Sequence, residues 1–192
     1  SPQPARVNSV VVGETNSGRK GTAASPVEEL MLHTDADFWK SQRVGGLSSG
    51  EGLIGYVADK KGEEGEIIPV EKRLFVLEEE FTRVLANIRR EGSILSHVIR
   101  QAFDNGALST LTVNPRHAFG AHISIVAHVT PDELAKRFDG IEAANGFGNR
   151  FLWWRVASDK LIPRPQPIPR GVFSAFAFRL REVMGLRSQN VE

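Results

Sequence analysis

The chain has 192 residues and not one cysteine. Disulfide staples and Cys-ligated zinc are therefore excluded, and a reducing, cytoplasmic compartment is the expected setting. Net charge is nearly absent too, since 24 Lys and Arg against 23 Asp and Glu leave +1. No global field pulls the protein toward nucleic acid or lipid, so any nucleic-acid surface has to be a local patch. No apolar run approaches the roughly 20 residues that a membrane helix needs. The opening Ser1-Pro2-Gln3-Pro4 lacks the basic and then apolar layout of a signal peptide. What is present suffices for one ordinary domain: 41% of residues are hydrophobic, enough for a proper core. The first strong strand begins near Asn8, and that abrupt entry leads us to expect a piece of a longer protein.

Val7 to Val12 is a β-branched run that stops at Gly13, the pattern of a strand covered on both faces. Gly13 to Gly21 is polar and Gly-rich and reads as a loop. Ser25-Pro26-Val27-Glu28-Glu29 then reads as a helix start, with Ser25 the cap and Pro26 in the first turn, running to about His33; with Thr22 to Ala24 helical as well, Pro26 is still expected in the first turn. A short strand is expected over Gln42 to Val44, and a helix capped by Ser48 or Ser49 to about Ala58. Asp59 to Gly65 reads as a solvated loop. Arg73 to Leu77 is the next buried strand, ending in Glu78-Glu79-Glu80. Helical spacing follows over Phe81 to Arg90 and Ser93 to Phe103. Leu108 to Val113 is a weak strand before a turn at Pro115. His122 to Val129 is a strong strand, and Thr130-Pro131-Asp132-Glu133 starts a helix. Phe151 to Val156 is the last strand. The prolines at 163, 165, 167 and 169 mark an extended connector, and Val172 to Met184 an amphipathic helix. Strands alternating with helices predict an α/β fold with a mainly parallel sheet. We expect residues 1–162 to form the core and 163–192 the Pro-rich connector and final helix.

Gly13 to Thr22 lies between a strand and a helix, which is the context a phosphate loop needs. Glycines let backbone N–H groups curl around an anion, the helix amino end adds partial positive charge, and a lysine reaches the terminal phosphates. Gly13, Gly18, Arg19, Lys20 and Gly21 are the candidate nucleotide-binding residues, with the Thr22 hydroxyl on magnesium. The spelling is irregular, because Arg19 precedes Lys20 and Gly21 separates Lys20 from Thr22. The same residues also suit a plain Gly-rich turn.

An apolar strand ending in acid is the second requirement. One carboxylate, Glu78, would hold magnesium through water, and Glu80 or Glu79 would orient the attacking water. Three glutamates also suit the solvated first turn of the next helix. His128, near the end of a neighbouring strand, is a candidate phosphate sensor or a satisfied structural histidine. Arg150, entering a strand after a Gly-rich loop, is a candidate arginine finger or a surface arginine paired with an acid. The order of these four elements along the chain is the one an ATPase core requires.

Taken together, Arg19-Lys20-Gly21-Thr22, Gly46-Leu47-Ser48-Ser49-Gly50-Glu51-Gly52-Leu53-Ile54, Gly120-Ala121-His122-Ile123-Ser124-Ile125 and Asn145-Gly146-Phe147-Gly148-Asn149-Arg150-Phe151-Leu152-Trp153 resemble the helicase-like P-loop ATPase part of bacterial primase–helicase replication proteins. Those proteins occur on phages, plasmids and integrated elements, and the similarity spans roughly Val10 to Pro163. The resemblance implies a three-layer, RecA-like P-loop core and hydrolysis of ATP with Mg2+. It further implies single-stranded DNA as a partner and a homo-oligomeric ring. It puts Lys20 on the phosphates, Thr22 on magnesium, Glu78 and Glu80 at the acidic motif, His128 at the sensor position and Arg150 at the finger position. Alternatives within the same fold are a regulatory ATPase without motor action, or a nucleotide-free assembly module. Ser48, Ser49 and Glu51 suit either a ligand approach or a plain helix cap. The Asn114-Pro115-Arg116-His117 turn is a candidate DNA loop or a solvated turn. Trp153 and Trp154 should face opposite ways on their strand.

Overall fold

The computed structural model describes residues 5–14, 20–110, 115–138, 145–157 and 166–185; for Lys20, Gly21 and Thr22 the backbone alone is described. The central element is a five-stranded sheet whose paired strands all run parallel. It comprises β1 (Ser9–Val12), β2 (Arg43–Val44), β5 (Arg73–Glu78), β8 (His122–Val129) and β9 (Leu152–Arg155), in the spatial order β2-β5-β8-β1-β9. Two small antiparallel ribbons stand apart from it: β3 (Lys60–Lys61) with β4 (Ile67–Ile68), and β6 (Leu108–Ser109) with β7 (His117–Ala118). Helices cover both faces, so the expected three-layer α/β arrangement is the one observed.

The two faces are not equally sealed. On one, Val10, Leu74, Val76, Ile123, Ile125, Ala127 and Val129 are buried against α3 (Gly50–Val57), α4 (Phe81–Ile88) and α5 (Leu95–Asp104). Phe81, Phe147, Phe151, Phe138 and Trp153 close the end of this core as a linked set of ring contacts with centroids 5.1 to 6.4 Å apart. The other face carries α1 (Lys20–Thr34), α2 (Ala36–Gln42) and α7 (Arg170–Val183). There Val11, Phe75, Leu77 and Val126 stay half-buried. α7 packs on α1 rather than on the sheet: Phe173 stacks on His33, and Arg181 donates to the Thr34 and His33 carbonyls.

Several boundaries differ from the sequence reading for local reasons. α1 begins at Lys20, not at Ser25, which places Pro26 inside the helix. Proline there removes the N–H that the Thr22 carbonyl would normally receive. Ser-Pro-x-Glu-Glu has the composition of a helix start, yet the chain enters the helix more than a turn earlier. α2 was not foreseen; its start is capped by Asp35, whose carboxylate accepts from the Phe38 N–H at 3.1 Å. The segment read as a solvated loop after Asp59 opens with a ribbon strand, and Lys72 Nζ ties the base of that ribbon to Asp59 at 2.6 Å. Ser49 caps α3 by accepting from the Gly52 N–H at 3.0 Å, and Thr130 with Glu133 forms a full capping box on α6 (Pro131–Arg137). Beyond Thr110 the expected Leu108 to Val113 strand lies outside the described residues, as do residues 162–165 of the connector.

At the mouth of β5, Arg73 forks onto Glu71 at 3.1 and 2.8 Å, and its backbone N–H adds a third bond at 3.0 Å. These bonds hold the Glu71 carboxyl well below its ordinary 4.5, at about 2. A folded-state value below the unfolded one adds stability above about pH 4.5, lost as the pH falls toward 2. Solvent screening limits this stake to under about 1 kcal/mol. Glu71→Gln should therefore lower the urea midpoint slightly at pH 7 and leave it unchanged relative to the parent near pH 2.

Candidate functional site

Because every strand of the sheet points the same way, their carboxyl ends all open on one edge. Loops leave that edge toward one face or the other, and the direction changes at one place. From β1 the chain enters α1 and α2 on the lightly sealed face. From β2 and β5 it enters α3, α4 and α5 on the opposite face, and α6, which follows β8, packs against α4. The crevice between the ends of β1 and β8 is thus the switch point of the sheet, where open α/β folds take their ligands.

Each sequence candidate can be placed against this edge. Gly13 is buried just past β1, and its N–H donates to the Val129 carbonyl at 3.0 Å, stitching the loop start to the end of β8. Gly18 and Arg19 lie outside the described residues. Lys20, Gly21 and Thr22 form the first turn of α1, and the amino end of that helix belongs to the same edge. His128 is level with Val11, only 7% exposed, and faces the cavity beneath α1 rather than the open tip. β5 lies one strand further on. Adjacent strands are about 4.8 Å apart, so the axes of β1 and β5 are separated by roughly 10 Å. β1 and the acidic strand β5 end on the same edge with β8 between them.

The three glutamates have three different situations. Glu78 shares the deep face with Leu74 and Val76, is 5% exposed, and accepts from the Leu47 N–H at 2.6 Å. Asn87 Nδ2 holds the Leu47 carbonyl at 2.8 Å, so the loop between β2 and α3 is gripped from both sides. Glu79 and Glu80 are exposed, with Glu80 at the head of α4 and 3.9 Å from Arg83. All three line a cleft of about 420 Å³ with Arg43, Gly45, Gly46 and Arg83. Gly45 is required there, because a Cβ would stand 2.7 Å from the Leu77 carbonyl oxygen.

Comparison with known proteins adds little to this geometry. No family model and no curated protein matches the sequence. A solved structure, NtrX from Brucella abortus, is similar at a TM-score of 0.39 and 12% identity. The likeness covers 82% of this chain and spans 33% of that one. At that level no activity transfers.

Arg150 does not join the group. It sits in a short 3-10 turn, Gly148–Arg150, that precedes β9, and therefore at the amino edge of the sheet. Its guanidinium forks onto Asp104 at 3.2 and 3.0 Å and also donates to the Gly146 carbonyl at 2.8 Å. The pairing with an acid allowed from sequence is present, and reaching the chain's own β1 loop is excluded by position. Arg116 likewise folds back, exchanging bonds with Thr110 and directing Nη1 at the Glu51 carbonyl, 3.5 Å away. Asn114 lies outside the described residues. Trp153 packs on Phe138 and donates to the Gly148 carbonyl, while Trp154 is half exposed and donates to Ser9 Oγ, so the two rings do face opposite ways.

Sequence reasoning missed Arg43 and Trp39. Arg43 lines both the acidic cleft and the cavity under α1, and Trp39 is buried at 6% exposure. Four-residue spacing on an unrecognised helix was the available signal. Among the described residues no helix is long and apolar enough to cross a membrane, and no cluster of three or more His, Asp or Glu is arranged for a metal.

Proposed function

We propose that this chain is the ATP-hydrolysing core, residues 1–162, of a DNA replication motor of the primase–helicase type, followed in 163–192 by a connector and a final helix. One observation supports the reading above the rest. The Gly-rich connection into α1 and the acidic end of β5 share the switch-point edge of an all-parallel sheet, with β8 between them. Helix amino-end N–H groups on one side and carboxylates roughly 10 Å away on the other suit a triphosphate carrying a divalent ion. The donor set is made of oxygen alone, which fits Mg2+, an ion held by one or two carboxylates plus substrate phosphates rather than by a protein cage. Bound there, it would neutralise phosphate charge.

In this reading Gly13, Gly18 and Gly21 allow backbone N–H groups to face the phosphates. Lys20 and Arg19 supply positive charge, and the Thr22 hydroxyl is the protein's own oxygen donor to the ion. Glu80 or Glu79, exposed in the cleft, accepts the proton side of the attacking water. His128 lies under α1 and couples the end of β8 to that helix. Arg150, at the opposite edge, acts only on a neighbouring copy's nucleotide, which requires a ring.

One observation favours the rival reading of a nucleotide-free module: the buried bond from Leu47 N–H to Glu78 gives that carboxylate a structural task. Glu78→Gln separates the two. As a magnesium-positioning group its loss should cut hydrolysis about 100-fold with ATP still bound. As a loop anchor alone it should change little, since the Gln carbonyl oxygen still accepts from Leu47 N–H, with stability altered by under about 1 kcal/mol and turnover per folded molecule unchanged. The motor half of the proposal is checked in the longer protein by adding single-stranded DNA. A several-fold rise in ATP turnover is expected, and equal turnover with and without DNA points to the non-motor regulatory ATPase.

A further inference from the structure

The parallel ladder between β2 and β5 ends with Val44 level with Val76. Two residues later the chain turns out of the sheet at Gly46, whose φ of +81° costs little only for glycine. Past that turn the Leu47 N–H meets the buried Glu78 carboxylate at 2.6 Å. The Leu47 side chain is buried in the core, and its carbonyl accepts from Asn87 Nδ2 at 2.8 Å. Asn87 lies in the second turn of α4 and is half-buried. Leu47 is therefore held at three points. Its N–H and its C=O belong to successive planar peptide groups, which turn relative to each other only about the two bonds of the Leu47 Cα. With the side chain between them buried, a restraint on one peptide restrains the other. Among the described residues the Glu78 side chain has no other hydrogen-bond partner. Its orientation is thus set by Leu47, and that of Leu47 by Asn87.

We propose that Asn87 is a positioning residue for Glu78: through the two Leu47 peptides it sets the direction of the carboxylate that serves the metal. This deepens the nucleotide reading of the carboxyl edge and rests on it. Asparagine is among the weaker helix formers, so its use inside α4 points to the bond it makes rather than to the helix. The bond also ties two elements of the cleft together, since Glu80 and Arg83 at the head of α4 line it with Gly45 and Gly46. Groups that orient a metal-holding side chain from behind typically carry roughly ten- to a hundredfold in activity.

The test is a double-mutant cycle on ATP turnover by the assembled protein, counted per folded molecule from urea melts of each variant. Asn87→Ala should lower kcat about tenfold and leave the KM for ATP unchanged. Because Asn87 acts through Glu78, the double variant Asn87→Ala with Glu78→Gln should turn over no more slowly than Glu78→Gln alone. If Asn87→Ala fails to fold, Gly46→Ala takes its place in the cycle, with the same result expected. A Cβ at Gly46 meets nothing within 4 Å, so that change strains the turn that aims the Leu47 N–H without adding a clash. Losses that multiply in the double variant overturn the proposal and leave the nucleotide reading standing. So does an undiminished kcat in Asn87→Ala beside a slowed Glu78→Gln. Parental turnover in Glu78→Gln, or no hydrolysis by the parent, removes the nucleotide reading itself and this proposal with it.

Discussion

Lys20→Ala is expected to cut ATP turnover by about 100- to 1000-fold and to weaken ATP–Mg binding at least tenfold, with the urea midpoint unchanged. Lys20 opens α1, and Gly13, just past β1, is anchored to Val129. A cation there adds to the partial positive charge of the helix amino end and stabilises charge spreading over the transferring phosphate oxygens. α1 is tied to α7 at its carboxyl end, where Phe173 stacks on His33 and Arg181 donates to the Thr34 carbonyl, far from Lys20. Stability and turnover should therefore separate cleanly. Isothermal titration with ATP–Mg, beside a urea melt, reads both. An unchanged affinity removes Lys20 from the phosphates and leaves the loop as a turn.

The second large effect is expected at Arg150, and only in the assembled protein. Loss of an arginine finger costs about 10³ or more in turnover, so Arg150→Ala should abolish ring ATPase while an isolated chain binds ATP as before. The structure makes the test sharper, because Arg150 is held by Asp104 and by the Gly146 carbonyl. A finger must let go of Asp104 to reach a neighbour. Asp104→Asn weakens that hold, and it should leave ring turnover equal or higher. If Arg150 serves only to tie the 145–150 turn to the end of α5, the two variants will behave alike: both lose some stability, and neither changes turnover per folded ring.

How much of this was legible beforehand depended on the range of the signal. The buried strands were read closely, because apolar runs such as His122–Val129 and Arg73–Glu78 leave one face for α3, α4 and α5 to bury. Caps were legible where the pattern is local, as at Ser49 and at Thr130 with Glu133. The start of α1 was not, since a Ser-Pro-x-Glu-Glu sequence competes with a helix that the fold begins five residues earlier. α2 was hidden because seven residues give too short a period, and its one strong mark is a single buried tryptophan. In the site, residue types were legible and contacts were not. Nothing in the spelling of Glu78-Glu79-Glu80 says that the first acid turns inward to Leu47 and the third stays in solvent. For Arg150 the sequence left a finger and a pairing with an acid both open; the pairing with Asp104 is present, and the place at the amino edge follows only from the strand order.

The central claim is that one nucleotide and its metal sit on the carboxyl edge of the sheet, between the start of α1 and the end of β5. Manganese, which takes the same oxygen ligands as magnesium, reports this through the broadening of nearby amide signals when ATP–Mn2+ is added. The account predicts loss of the Gly13, Thr22, Val129 and Glu80 amides, with Asp104 and Arg150 at the far edge left sharp. Broadening centred on the amino edge, or none at millimolar nucleotide, would contradict it.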